Sequence, residues 1–244
     1  MANLTKIYEL AALLSLNNLA TKNIPMEVGE KELNFLEYVL ATEQAIRDNK
    51  KFLLRKSHSK LPDKMLLENF DLTFQPNITK WHIEQLEKME WLANHFNILI
   101  MGDAGTGKTH LATAIGKSAL WQGKKVFYLT VKELIFLFKT QDSIRSSKGR
   151  INYIRECQLV ILDELGYVPM EREDALLLYK LINEINVVTS LIIVTNREFE
   201  MWHEIFFDEV VATTILDRLI ANCQVMKFSG RSYRLAKHMS IFKE

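Results

Sequence analysis

Cysteine and proline are scarce in this chain of 244 residues, with two of the first and four of the second. Cys157 and Cys223 lie far apart in apolar contexts, which excludes a disulfide scaffold and reads as two reduced core thiols. They are too few and too distant for a zinc site, and His58, His82, His95, His110, His203 and His238 fall at no metal-ligand spacing. Nine glycines without a period exclude a collagen-like fibre. No apolar run approaches the roughly 18 to 20 residues of a membrane-spanning helix. The start, Met1-Ala2-Asn3-Leu4-Thr5-Lys6, lacks the basic and then apolar pattern of a secretory signal, so a cytoplasmic protein without membrane contact is expected. Neither charge sign dominates: 31 Lys and Arg stand against 30 Asp and Glu, a net charge of +1 that names no partner.

What is present is an ordinary globular composition, 48% hydrophobic and 25% charged. At about 150 residues per domain the length allows one or two domains, each large enough for a core of its own. The near-zero total conceals a basic run, Arg47, Lys50, Lys51, Arg55, Lys56, Lys60 and Lys64, opposed only by Asp48 and Asp63.

Residues 1 to 68 carry little strand signal. Ile7, Leu10 and Leu14, and then Leu33, Leu36, Val39, Leu40 and Ile46, recur at helical spacing. Asn23-Ile24-Pro25 breaks the chain between them, and Leu61-Pro62-Asp63 interrupts the second, basic helix. This reads as a small helical domain over 1–68 that ends in a long basic helix. An extended linker over 69–80 then leads into a helix near Lys80–Asn94.

From there the pattern changes. Asn97–Met101, Val126–Thr130, Leu159–Asp163, Ser190–Thr195 and Gln224–Phe228 are short apolar runs separated by helical stretches. Runs of Ile, Val and Leu alternating with helices predict an α/β fold with a parallel sheet covered on both faces. The stretch 229–244 is too short for a separate helical lid domain.

The first strand runs into Gly102-Asp103-Ala104-Gly105-Thr106-Gly107-Lys108-Thr109, followed by a helical pattern from His110. This is G-x-x-x-x-G-K-T in its confirming strand–loop–helix context. Such a loop aims backbone N–H groups at phosphate oxygens, and the helix N-terminus adds partial positive charge. Lys108 is expected to reach the β- and γ-phosphates and Thr109 to ligate Mg²⁺. The third strand ends in Asp163-Glu164, where functional residues of a parallel sheet are displayed. Asp163 is the candidate holder of Mg²⁺ and Glu164 the candidate base for an attacking water; the plainer alternative is a strand end with an acidic helix cap. Asn196, after the fourth strand, either holds that water or the γ-phosphate, or caps the next helix. Arg218 either reaches a neighbouring subunit's nucleotide or is an exposed charge or partner of Asp217. Phe70 and Phe74 either wall an adenine pocket or pack in a core. Trp81, Trp91, Trp121 and Trp202 are expected as core or interface anchors.

Three classes compete. Asp163-Glu164-Leu165-Gly166 fits the D-x-x-G of GTP switches, but Asn196-Arg197-Glu198-Phe199 lacks the Lys and Asp of a guanine-reading motif. A small-molecule kinase needs an acceptor pocket and a lid, which the short tail and basic N-terminal part do not offer. An oligomeric ATPase acting on a macromolecule is the third, and its mark would be a basic residue such as Arg218 set to reach a neighbour's nucleotide, for which an exposed charge is the plainer reading.

Several runs resemble a known family: Gly102–Leu111, Leu162-Asp163-Glu164-Leu165-Gly166-Tyr167-Val168-Pro169, Thr195-Asn196-Arg197, Trp202–Asp208, Ile215-Leu216-Asp217-Arg218-Leu219 and Gly230-Arg231-Ser232-Tyr233-Arg234. In this order they are similar to IstB, the ATP-binding helper family of bacterial insertion sequences, over residues 69–244. The N-terminal part around Phe35-Leu36-Glu37 shares the likeness less distinctively; the resemblance implies that this domain binds DNA or a partner, with Arg47, Lys50, Lys51, Arg55, Lys56 and Lys60 as DNA-binding candidates. IstB proteins are AAA+ ATPases related to the DnaC and DnaI helicase loaders and to DnaA. The resemblance implies a five-stranded sheet of order 5-1-4-3-2 with a minimal C-terminal lid. It implies Walker A at Gly102–Thr109 (with His110 following), Walker B at Asp163 and Glu164, and sensor 1 at Asn196. It also implies an arginine finger acting in trans at Arg218 and a second sensor at Arg234. The stretch Val131–Arg155 would be a helical insertion facing nucleic acid through Lys132, Lys139, Arg145, Lys148, Arg150 and Arg155, or simply a solvated face. The implied partners are ATP, Mg²⁺, double-stranded DNA bound without base reading, a cognate transposase, and further copies of the chain in a ring or spiral. A replicative helicase loader is the alternative.

Overall fold

The structure is a computed structural model that describes residues 4–21, 28–167, 170–186, 188–206 and 209–236. The expected break at Asn23-Ile24-Pro25, the family-like Val168-Pro169 and Phe207-Asp208, and His238 lie outside these residues. The chain forms two compact units, Met1–Arg55 and Lys56–Glu244, whereas the sequence pattern draws its boundary at 68.

The first unit contains α1 (Leu4–Leu13), α2 (Asn17–Ala20) and most of α3 (Glu30–Ser59). Its core gathers Ile7, Leu14 and Leu40, with Leu10, Leu33 and Leu36 packed against them. These are residues of the helical periodicity, turned inward on one stripe of each helix. The helix α3 stops at Ser59, just ahead of Leu61-Pro62, and Lys60 takes a left-handed φ of 57°.

The second unit opens with two single-turn 3₁₀ segments, Leu67–Asn69 and Leu72–Phe74. Helix α4 (Lys80–Glu87) follows, then α5 (Glu90–Ala93). One helix is expected over this region, but Met89 adopts φ 58° and splits it, burying its own side chain at the corner. Then come β1 (Asn97–Gly102), α6 (Lys108–Trp121), β2 (Val126–Thr130), α7 (Val131–Thr140), α8 (Arg145–Arg155) and β3 (Leu159–Leu165). The chain continues with α9 (Arg172–Ile185), β4 (Ser190–Thr195), a 3₁₀ turn at Phe199–Met201, α10 (Trp202–Phe206), α11 (Glu209–Ile220), β5 (Cys223–Phe228) and α12 (Tyr233–Ala236).

The strands form one parallel sheet in the order β2-β3-β4-β1-β5, as the family resemblance implies. Every residue of β4 is buried, as are the first five of β1, which explains their unbroken apolar sequences. Helix α6 packs on the sheet through Leu111, Ala112, Ile115 and Ala119, none of them measurably exposed. Each large side chain so buried contributes about 1.5 to 3 kcal/mol. One polar side chain pins the base of β1. Asn97, buried, accepts from Leu191 N–H at 2.9 Å and donates to the Leu219 carbonyl at 3.3 Å, tying β1 to β4 and α11. The loop after β1 therefore leaves from a fixed strand, flanked by β4 and β5.

Helix α7 starts directly from β2 because Thr130 and Glu133 form a capping box, with reciprocal bonds of 3.2 and 2.8 Å. The region 131–155 is helical as expected, in two pieces. Of its basic residues, Lys139 pairs with Asp174, and Arg155 pairs with Glu184 at 2.6 Å. Lys132, Arg145, Lys148 and Arg150 are exposed. Of the tryptophans, Trp202 is fully buried and anchors the core, whereas Trp81 and Trp121 stand more than half exposed.

Candidate nucleotide site

The loop Gly102–Thr109 joins β1 to α6 at the C-terminal edge of the sheet. Gly102 has φ 142°, and a β-carbon there would collide with the Phe228 carbonyl of β5. Only glycine lets the loop leave β1 this close to its neighbour. Thr106 Oγ1 donates to the Asp103 carbonyl at 2.7 Å, and Lys108 Nζ donates to the same oxygen at 2.7 Å. Lys108 is buried, and its burial pushes the ammonium below the usual lysine range. The carboxylates of Asp163 and Asp103 oppose that shift and the charge of Arg234 adds to it. Lys108 thus feels three neighbouring charges.

A cleft of about 170 Å³ opens beside the loop, lined by Gly105, Thr106, Gly107, Lys108, Thr109 and His110 on one side. Phe70, Phe74, Tyr233 and Arg234 line the other. Phe70 lies edge-on to His110 at 5.6 Å, and Phe74 edge-on to Tyr233 at 5.0 Å. Both linker phenylalanines therefore wall the cleft. Asp103 and Ala104, at the tip of the loop, are exposed.

The cleft is held shut at its rear by a residue that sequence reasoning passes over. Gln75, 1% exposed, donates to the Thr106 carbonyl at 2.7 Å and accepts from Gly230 N–H at 3.3 Å. Tyr233 N–H donates to the Gly105 carbonyl at 2.9 Å. The segment before α4 and the segment after β5 thus clasp the loop between them, which brings Arg234 to the cleft.

Asp163 and Glu164 end β3 differently. Asp163 is 4% exposed; its Oδ2 accepts from the Tyr128 hydroxyl at 2.7 Å and its Oδ1 from Glu164 N–H at 2.8 Å. Burial, and then the bond to Asp163, push the Tyr128 phenol above its usual range, so it remains a donor. Glu164 has φ 63° at a register shift: Leu162 pairs with Ile193 but Leu165 with Thr195, one extra residue on β3. This bulge turns Glu164 out to solvent, onto a hollow of about 410 Å³ also lined by Val131, Lys132, Ile135 and Tyr167. Left-handed backbone in a glutamate carries strain of about 1 to 3 kcal/mol, as functional sites often do. Neither acid caps a helix, because α9 begins only at Arg172 with Glu171 as its N-cap.

Asn196 is exposed at the end of β4, between β1 and β3. It caps no helix: the next turn is preceded by Glu198. Its neighbour Thr195 is bonded to the Leu165 carbonyl at 2.8 Å, which locks the end of β4 to the bulge. Arg218 is exposed on α11 and makes no ion pair with Asp217 among the described residues. It borders a hollow with Asn183, Asn186 and Asp217, and does not line the cleft beside Lys108.

No three His, Cys, Asp or Glu side chains gather to hold a metal among the described residues. The oxygen donors near the loop, the Thr109 hydroxyl and the Asp163 carboxylate, suit a hard cation that also takes phosphate oxygens and water.

The basic candidates divide between the units. In the first, Arg47 bonds Glu43 at 2.7 Å and the Leu14 carbonyl at 3.2 Å, so it serves the fold. Lys50 and Lys51 are exposed, and Arg55 is half-buried. In the second, Lys56 is exposed, while Lys60 and Arg150 come together on one hollow of about 330 Å³ with Phe127, Tyr128 and Glu133.

A parallel sheet of this order, with the glycine-rich loop on the strand next to its β5 edge and Asp-Glu on the strand two places away, defines a protein of the AAA+ P-loop fold. Its fold matches AMPPCP-bound DnaA from Aquifex aeolicus with a TM-score of 0.54 at 19% identity, over 70% of this chain and 51% of DnaA, so it spans about half of that protein. The chain belongs to the IstB-like ATP binding protein family, whose model matches residues 6–240. An insertion sequence IS21 putative ATP-binding protein of Pseudomonas aeruginosa is 34% identical over 86% of this chain and 80% of its own length. An IS21-like putative ATP-binding protein of Bacteroides fragilis is 32% identical over 97% of this chain and 92% of its own. No helix among the described residues is long and apolar enough to cross a membrane.

Proposed function

We propose that the chain is an ATP-dependent helper of transposition that assembles on duplex DNA, recruits or activates a transposase, and hydrolyses ATP to come apart. One observation carries this reading. The cleft beside Lys108 joins a phosphate loop, Arg234 and an aromatic wall, while Arg218 lies exposed away from it. An arginine held away from the cleft of its own chain can serve the cleft of another copy.

In this reading the adenine lies against Phe70, Phe74 and Tyr233, and the loop from Gly102 to Thr109 receives the phosphates. Lys108 exchanges the Asp103 carbonyl for phosphate oxygens, and Arg234 reaches the same anion. Magnesium, held by Thr109 and Asp163, would offset phosphate charge and align the γ-phosphoryl group. Glu164 accepts a proton from water as its oxygen bonds the γ-phosphorus; the bond to the β-bridging oxygen breaks, giving ADP and phosphate. Asn196 orients that water. Arg218 of a neighbouring copy contacts the γ-phosphate, so ATP favours a head-to-tail array, which closes as a ring or climbs as a spiral. Loss of the γ-phosphate loosens the array. Lys50, Lys51 and Lys56 of α3, and Lys60, Arg145, Lys148 and Arg150, meet DNA phosphates without reading bases. The insertion-sequence relatives favour this over a helicase loader.

The test is particle mass in solution with ATP, duplex DNA, or both. A rise needing both supports the proposal, and Lys108→Ala should remove nucleotide binding and the rise together. A chain that stays monomeric under every condition, or a Lys108→Ala protein that still binds ATP, overturns it.

A further inference from the structure

Tyr128 belongs to no nucleotide-binding motif of the sequence and takes no part in the hydrolysis steps. It stands on β2 opposite Ile161, while Thr130 stands opposite Asp163. Side chains alternate along a strand, so Tyr128 and Thr130 share a face, and Tyr128 leans diagonally onto Asp163. Its hydroxyl reaches Oδ2 at 2.7 Å, and the N–H of Glu164 holds Oδ1 at 2.8 Å. Both oxygens of a buried carboxylate are therefore anchored, and each keeps a lone pair for another partner. A carboxylate held by two donors from two strands has one orientation, not several.

We propose that Tyr128 is a positioning residue that fixes the Asp163 carboxylate and thereby sets how tightly the nucleotide site takes up a divalent cation. This rests on the reading that Asp163 serves Mg²⁺ and ATP. Partners that orient a metal ligand typically govern metal affinity by about 10- to 100-fold. A tyrosine that merely packed would change stability and leave the cation dependence alone.

The experiment is a fluorescent-ATP binding titration of Tyr128→Phe, with EDTA and then with rising Mg²⁺. The ring stays, so the fold is expected to hold, and thermal unfolding checks it. Affinity in EDTA should equal that of the unaltered protein, and the Mg²⁺ concentration giving half the cation-dependent gain should rise about tenfold or more. An unchanged Mg²⁺ dependence overturns the proposal, as does an equal loss with and without Mg²⁺. Asp163→Asn supplies a second variant. If Tyr128 acts through Asp163, adding Tyr128→Phe to Asp163→Asn costs nothing further in Mg²⁺ dependence, and an additive loss overturns the idea. Unaltered protein that binds nucleotide with no response to Mg²⁺ would overturn the Mg–ATP reading, and this proposal with it. Failure of Tyr128→Phe alone, beside a normal Mg²⁺ response in the unaltered protein, would leave the Mg–ATP reading standing.

Discussion

Gln75 and Thr106 are 31 residues apart in sequence and joined by a buried hydrogen bond of 2.7 Å from side-chain amide to backbone carbonyl. Through the same side chain the loop reaches Gly230. Gln75→Ala leaves a buried carbonyl and a backbone N–H without this partner, and each orphaned group costs about 1 to 3 kcal/mol. The expected outcome is a lower denaturation midpoint and weaker nucleotide binding that saturating Mg²⁺ does not restore. Chemical denaturation and an equilibrium nucleotide titration check it.

Arg218→Ala should bind ATP normally and lose roughly a thousandfold or more in hydrolysis, the scale of an arginine finger. Mixing it with Glu164→Gln should return activity, because a mixed interface combines an intact Glu164 with an intact Arg218. Each variant alone stays inactive. Steady-state phosphate release across mixing ratios gives the answer, and a flat line across all ratios counts against action between copies.

Reversing Lys50, Lys51, Lys56 and Lys60 to Glu should weaken duplex binding at every sequence tested. The slope of log affinity against log salt should become shallower by about 0.9 for each DNA phosphate that is no longer neutralised. Fluorescence anisotropy at several salt concentrations measures both. Arg47 is left out because its bonds to Glu43 and Leu14 belong to the fold of the first unit.

The Cys157 thiol, buried between α8 and β3, is pushed up from 9.0 to about 12 by its burial. Above pH 9 the unfolded chain gives up this proton and the folded one keeps it. The thiol's share of stability is therefore whole below pH 9 and is lost as pH climbs towards 12, at up to about 1.4 kcal/mol per pH unit. Cys157→Ala, less stable than the parent at pH 8, should lose that disadvantage progressively between pH 9 and 11. Urea midpoints at four pH values provide the check.

Much of this architecture is legible in the sequence because a parallel strand covered on both faces needs an unbroken apolar run. Val126–Thr130 and Ser190–Thr195 match their strands end to end. β3 runs on to Leu165, because Glu164 interrupts the apolar run while the backbone bulges around it. The helix expected over Lys80–Asn94 breaks at Met89, where burial of one side chain outweighs helical continuity. The phosphate loop is readable because its spacing is its chemistry. Tyr128 and Gln75 are not, since a tyrosine in a strand and a glutamine in a linker look ordinary. Their roles arise only when β2 lies beside β3 and when two distant segments meet behind the loop.

The bulge at Glu164 has an evolutionary corollary. A glycine there would relax the left-handed backbone at no steric cost, so Glu164→Gly should melt higher than Glu164→Gln. A laboratory selection for heat tolerance, blind to turnover, would drift toward glycine at this position and, on the mechanism proposed above, arrive at a sturdier protein that no longer spends its fuel.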